Sequence, residues 1–213
     1  SRDVDETSAT SAIFPRLRVR NRSEIKIVSE VSDVLAVFDD VKSTDWFAGA
    51  VEYTVEKGLL NGTSSDTFEP SSSLTRAMVA TVLYRLAGKP TATAKSTFKD
   101  LEEGKWYTDA VNWAASVGVV NGYKDGTFRP NKNISRQEMT AMLARYAKNV
   151  SKMDTTAKGN LDKYTDHGDV QAWALNDIVW AVDNGIINGY DGKLWPNDQA
   201  TRAEFATIVM RFD

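Results

Sequence analysis

Three arginines stand where a helix disfavours a cation: Arg76 in "LTRAM", Arg136 in "ISRQE" and Arg202 in "ATRAE". Around the second, Ser135 and Glu138 form a Ser-x-x-Glu capping box, so a helix starts there and Arg136 falls on its first turn. The macrodipole makes that end positive and penalises a cation by up to about 1 kcal/mol. The same end presents unpaired backbone N–H groups, which favour an anion. A guanidinium beside them adds a planar, bidentate donor suited to a carboxylate. Two roles are therefore open to each arginine: capture of an anionic ligand, or an ion pair with an Asp or Glu of a neighbouring unit. Exposed first-turn substitutions move stability by only about 0.5 kcal/mol. On the ligand reading, alanine at these positions is expected to reduce binding and spare the fold.

The tryptophans Trp46, Trp106 and Trp173 lead the preceding apolar segments. An exposed indole face stacks on the axial C–H surface of a sugar, whereas a buried one is a core wedge, and both readings stand. Tyr53, Trp113 and Trp180, further along the same segments, read as core. The pairs Asn61-Gly62, Asn121-Gly122 and Asn188-Gly189 mark tight turns. Their glycines either satisfy turn geometry or let a ligand approach backbone N–H groups. Asp125-Gly126 and Asp191-Gly192 lack the alternating carboxylates and closing glutamate of a calcium loop, so they read as turns; no metal site and no cofactor are expected.

The segments that carry these residues recur. The stretch from Phe38 to Ala87 aligns without a gap with the stretch from Phe98 to Ala147. A third copy starts at Tyr164, with one insertion before Trp173 and one deletion after Tyr190. Each copy reads as helix, turn-rich loop, helix. Apolar residues at helical spacing (Ala50 and Val51; Ala110, Val111, Ala114; Ile178, Ala181, Val182) build the first helix, and Gly58, Gly118 or Gly185 stops it in a left-handed cap. Thr75, Ser135 or Thr201 caps the second helix. Its buried stripe is Val79, Val82, Leu83, Leu86, then Met139, Met142, Leu143, Tyr146, then Phe205, Ile208, Val209, Phe212. In the first repeat Met78 stands where the others carry the capping-box glutamate. Two short helices cannot bury that much apolar surface alone, so the units must pack on one another, as a pseudo-threefold cluster or an open solenoid. The expected organisation is an N-terminal segment or tail of a preceding domain over 1–37, with "RLRVRNRSEIKIV" as a small hairpin, and repeats over 38–90, 98–150 and 164–213.

Composition narrows the function classes. The chain has 213 residues, 42% hydrophobic and 26% charged, with a formal net charge of -3. That balance offers no general attraction to nucleic acid or acidic membranes. It has no cysteine, which excludes disulfides and thiolate chemistry. No apolar run approaches the roughly 18 residues of a membrane span. The single histidine, His167, has no counterpart in the other repeats and reads as a solvated surface group. No phosphate-binding glycine loop, nucleophile elbow or motif-placed carboxylate pair supports an enzyme. A protein-binding repeat module is the other rival, and would need an apolar patch on one face.

The recurring Phe-x-Asp, Trp, Gly-(hydrophobic)2-Asn-Gly, Asp-Gly-Thr-Phe-x-Pro and Thr-Arg-Ala-Glu elements resemble the S-layer homology domain, and the resemblance runs from residue 38 to residue 213. It implies a mostly all-α fold of three helix-loop-helix repeats arranged as a pseudo-threefold trimer around a central helical bundle, with grooves between repeats. It implies a monomeric, non-catalytic anchor at the bacterial cell wall or S-layer, binding secondary cell wall polymer through a pyruvylated sugar; modified peptidoglycan is the alternative glycan. Carried over by position, the resemblance groups Arg76 with Asp100, Trp106, Gly122 and Tyr123. It groups Arg136 with Asp166, Trp173, Gly189 and Tyr190. A third groove joins Arg202 with Asp40, Trp46 and Gly62, and is expected to be the weakest because Thr63 replaces the tyrosine. The last helix runs to the final residue, which suggests a module at the C-terminal end of a larger exported protein.

Overall fold

A computed structural model describes residues 34–213. The hairpin expected within 16–28 lies outside the described residues. Six α-helices are described: α1 (Ala48–Glu56), α2 (Arg76–Leu86), α3 (Thr108–Ser116), α4 (Arg136–Asn149), α5 (Leu175–Asp183) and α6 (Arg202–Phe212). No β-strand is formed among the described residues, only isolated bridges.

The local signals act as read. Thr75, Ser135 and Thr201 sit in extended backbone and accept from the N–H of Met78, Glu138 and Glu204. Met78 does not prevent α2 from starting, because the Thr75 hydroxyl still caps it. Gly58, Gly118 and Gly185 close the first helices at φ of 64°, 72° and 67°, a region that costs a residue with a Cβ about 1 kcal/mol or more.

Association between repeats is cyclic. α2 packs on α3, α4 on α5, and α6 returns to α1, so the second helix of each repeat covers the first helix of the next. The residues just ahead of the second helices close a triangle of backbone hydrogen bonds. Leu74 N–H donates to the Ala200 carbonyl (2.9 Å), Ala200 to Ile134 (3.0 Å) and Ile134 to Leu74 (2.9 Å). An open solenoid has no contact between its first and last units, so this ring excludes it. Around the triangle lies one continuous core, including Val51, Phe68, Val79, Leu83, Val111, Phe128, Met139, Leu143, Trp180, Phe205 and Val209. Each such side chain contributes about 1.5–3 kcal/mol through removal from water.

The loops between helices are held by the aspartates. Asp40 accepts from the N–H groups of Phe68 and Glu69 (2.8 and 2.7 Å), Asp100 from Phe128 and Arg129 (2.7 and 2.7 Å), and Asp166 from Leu194 and Trp195 (2.8 and 2.7 Å). Glu69, Arg129 and Trp195 have φ of 55°, 58° and 54°, a strained conformation for residues with side chains. A carboxylate taking two backbone N–H groups offsets that strain.

Candidate functional site

The three arginines are the most altered part of the sequence reading, because they are buried. Arg76, Arg136 and Arg202 expose only 6%, 7% and 6% of their surface. Their backbone N–H groups donate to Lys132, Asp198 and Ser72, and the next residues, Ala77, Gln137 and Ala203, donate to Pro130, Pro196 and Pro70. With the third N–H taken by the cap, no first-turn N–H is left for a ligand. The helix start works as a joint between repeats.

The side chains follow the same rule. Arg76 Nε donates to the Phe128 carbonyl (2.8 Å) and Nη2 to that of Asn121 (3.1 Å). Arg136 Nε donates to Leu194 (2.9 Å). Arg202 donates through Nε to Phe68 (2.7 Å) and through Nη2 to Asn61 (2.6 Å). Two of the arginines also face a carboxylate on the second helix of the next repeat: Arg76 Nη1 lies 3.6 Å from Glu138, and Arg136 Nη1 lies 2.6 Å from Glu204. Met78 removes the corresponding partner of Arg202. Met78→Glu is therefore expected to complete the third pair and raise stability by about 1 kcal/mol, or roughly 2–4 °C in Tm for a chain of this size. Thermal unfolding of the two proteins checks this; an unchanged or lower Tm would mean that the third joint has no room for the carboxylate.

Two grooves open beside these joints. The smaller, about 280 Å³, is lined by Arg76, Gly122, Tyr123, Lys124, Glu138, Arg145 and Trp173 among others. The larger, about 590 Å³, is lined by Arg136, Trp46, Phe47, Gly189, Tyr190 and Arg211 among others. Arg76 thus meets Gly122 and Tyr123, but Trp173 rather than Trp106. Arg136 meets Gly189 and Tyr190, but Trp46 rather than Trp173. The tryptophan comes from one repeat further round the ring than sequence position suggested, because the grooves also border α4 (Glu138, Met142, Arg145) and α6 (Glu204, Ile208, Arg211), which are covered by α5 and α1, the helices that follow Trp173 and Trp46. Asp40, Asp100 and Asp166 line neither groove, being spent on backbone N–H groups. Trp106, Gly62 and Arg202 also line neither of these two.

The indoles are not core wedges. Trp46, Trp106 and Trp173 expose 68%, 60% and 53% of their surface, while Trp113 and Trp180 are buried. The glycines have a packing reason: a Cβ on Gly122 would stand 2.5 Å from Phe98 Cε1, and one on Gly62 2.7 Å from Phe38 Cε1. His167 is exposed, as read.

Electrostatically, burial draws the Arg76 and Arg202 guanidiniums below their ordinary values, opposed by Tyr123 and Glu138 in the first case and by Glu69 and Asp40 in the second. Burial pushes the Glu138 carboxyl up, but the Ser135 N–H, the Tyr123 hydroxyl and the Lys132 ammonium outweigh it and hold it below the usual range. Lys124, Arg145 and Arg211 were missed in the sequence. The signal for two of them was present, since Arg85, Arg145 and Arg211 fall at one register of the three second helices.

The family profile of the S-layer homology domain matches residues 37–78, 97–140 and 163–206. The chain belongs to the S-layer homology domain family. Its three matches coincide with the repeats that close the ring. Similar proteins include an amylopullulanase of Thermoanaerobacterium thermosulfurigenes, 30% identical over 81% of this chain and 9% of that protein. The S-layer protein sap of Bacillus anthracis is 31% identical over 88% of this chain and 22% of its own length. A cellulosome-anchoring protein of Acetivibrio thermocellus is 33% identical over 78% of this chain and 36% of its own length. The S-layer homology chain therefore spans well under half the length of these relatives. It is a cell-surface anchoring module, placed outside the cell at the cell wall or S-layer. No described helix is long and apolar enough to cross a membrane.

Proposed function

We propose that this S-layer homology module is non-catalytic and tethers a larger protein to the cell surface by binding secondary cell wall polymer, through an anionic, pyruvylated sugar. The observation that carries this reading is the smaller groove. It combines Arg76, Lys124 and Arg145 with a single carboxylate, Glu138, and an exposed indole, Trp173. An excess of cations suits the carboxylate of a pyruvate ketal, and an indole face suits the sugar ring that carries it. Arg76 is committed to backbone carbonyls and serves as a fixed positive wall, so Lys124 and Arg145 are the groups free to turn toward an incoming carboxylate. Among the described residues neither side chain makes a hydrogen bond, and Arg145 acts on Asp177 only through space.

The test is calorimetric titration of the chain, Lys124→Ala and Arg145→Ala with native and chemically depyruvylated wall polymer. Native polymer is expected to bind, with a loss of about tenfold or more on depyruvylation and a comparable loss in either variant, since a charge-assisted hydrogen bond is worth about 1.5–3 kcal/mol. Equal binding of the two polymers by all three proteins would sink the pyruvate assignment.

A further inference from the structure

The two grooves have diverged in chemistry although they occupy the same place in two aligned repeats. In the smaller, Tyr123 is half-buried and already engaged by cations. Its ring lies against Arg129 (4.1 Å), Arg76 (4.8 Å) and Lys132 (5.1 Å), and its hydroxyl donates to Glu138 (2.8 Å). Lys132 also donates to Glu138 (3.1 Å), so this carboxylate is neutralised from the side and lies 3.6 Å from Arg76. In the third repeat the alignment replaces Arg129 with Trp195 and Lys132 with Asp198, and the one-residue deletion removes the counterpart of Lys124. There Tyr190 is exposed, and its ring is stacked on Trp195 at 5.5 Å and 22°. Trp46, also exposed, is held edge-on by Phe47 at 5.3 Å and 87°. Arg136 is closed against Glu204 at 2.6 Å, and Glu204 also accepts from the Thr201 N–H (3.0 Å).

We propose that the two grooves read different parts of the polymer: the smaller takes the carboxylated sugar, and the larger holds uncharged sugar residues between Trp46 and Tyr190. This rests on the function proposed above. In the larger groove Arg136 is closed on Glu204 and the remaining lining cation, Arg211, donates to the Ile186 carbonyl (3.4 Å), so a carboxylate there meets one available cation against two, Lys124 and Arg145, in the smaller groove. Uncharged rings need only aromatic faces and scattered polar groups, which this groove supplies through Trp46, Tyr190, Asn188 and Ser71. Its volume, about 590 Å³ against about 280 Å³, leaves room for a longer stretch of chain.

The experiment compares three ligands, a pyruvate-ketal monosaccharide, depyruvylated polymer and native polymer, on the unaltered chain, Lys124→Ala, Trp46→Ala and Tyr190→Ala, by titration calorimetry. Thermal unfolding checks that each variant is folded. Lys124→Ala is expected to weaken the monosaccharide about tenfold, and Trp46→Ala and Tyr190→Ala to weaken depyruvylated polymer by about tenfold while moving the monosaccharide less than threefold. The inference is overturned if the aromatic variants weaken both ligands equally, or if depyruvylated polymer does not bind while native polymer does. Failure of native polymer to bind the unaltered chain would instead remove the proposed function, and the inference with it.

Discussion

Arg136→Ala is expected to destabilise the folded chain by about 2–4 kcal/mol, several times the effect of an exposed first-turn substitution. Truncation removes the donor to the Leu194 carbonyl and leaves Glu204 without its partner at 2.6 Å, in a joint where the two side chains expose 9% and 21%. Breaking a buried pair by deleting one member costs about 3–5 kcal/mol, and the partial exposure of Glu204 lowers the figure here. The stripped carbonyl adds its own desolvation penalty. Urea unfolding monitored by circular dichroism reads the change, and a loss under about 1 kcal/mol would show that the arginine is not part of the joint. The consequence for binding studies is direct: reduced wall binding by Arg136→Ala would report a damaged groove as much as a missing ligand contact. Lys124 and Arg145 are the informative positions.

Phe128→Ala is expected to cost about 3–5 kcal/mol, in line with aromatic truncations in a core. Its side chain is fully buried, stacked on Phe98 at 5.5 Å and 27°, and lies against the Arg76 guanidinium at 4.8 Å. Its N–H is held by Asp100 and its carbonyl receives Arg76 Nε. The substitution therefore loosens the Asp100-clamped loop and the first inter-repeat joint together. Because the three repeats share one core, the variant should still unfold in a single transition, at a lower urea midpoint and an unchanged slope. A separate early transition for residues 98–150 would mean that the repeats fold independently, against the closed backbone triangle.

Much of this molecule was legible in its residues. The repeats, the caps at Thr75, Ser135 and Thr201, the stops at Gly58, Gly118 and Gly185, and the apolar stripes are all local patterns. Local patterns write themselves into the chain because each residue's partner lies a few positions away. The family follows from the same recurring positions. The partners of Arg76, Arg136 and Arg202 left no such mark. They are main-chain carbonyls of the next repeat, and every residue type carries a carbonyl, so no side-chain signature announces which one will be used. Only closure of the ring placed those carbonyls around each guanidinium, buried it and occupied the first-turn N–H groups. Closure also decided which tryptophan stands in which groove, since Trp173 and Trp46 lead α5 and α1, the helices packed on α4 and α6. The sequence by itself determined the unit, its caps and its charge pattern. The tertiary structure decided that the arginines join the repeats and that the grooves beside them differ, because these properties belong to contacts between units.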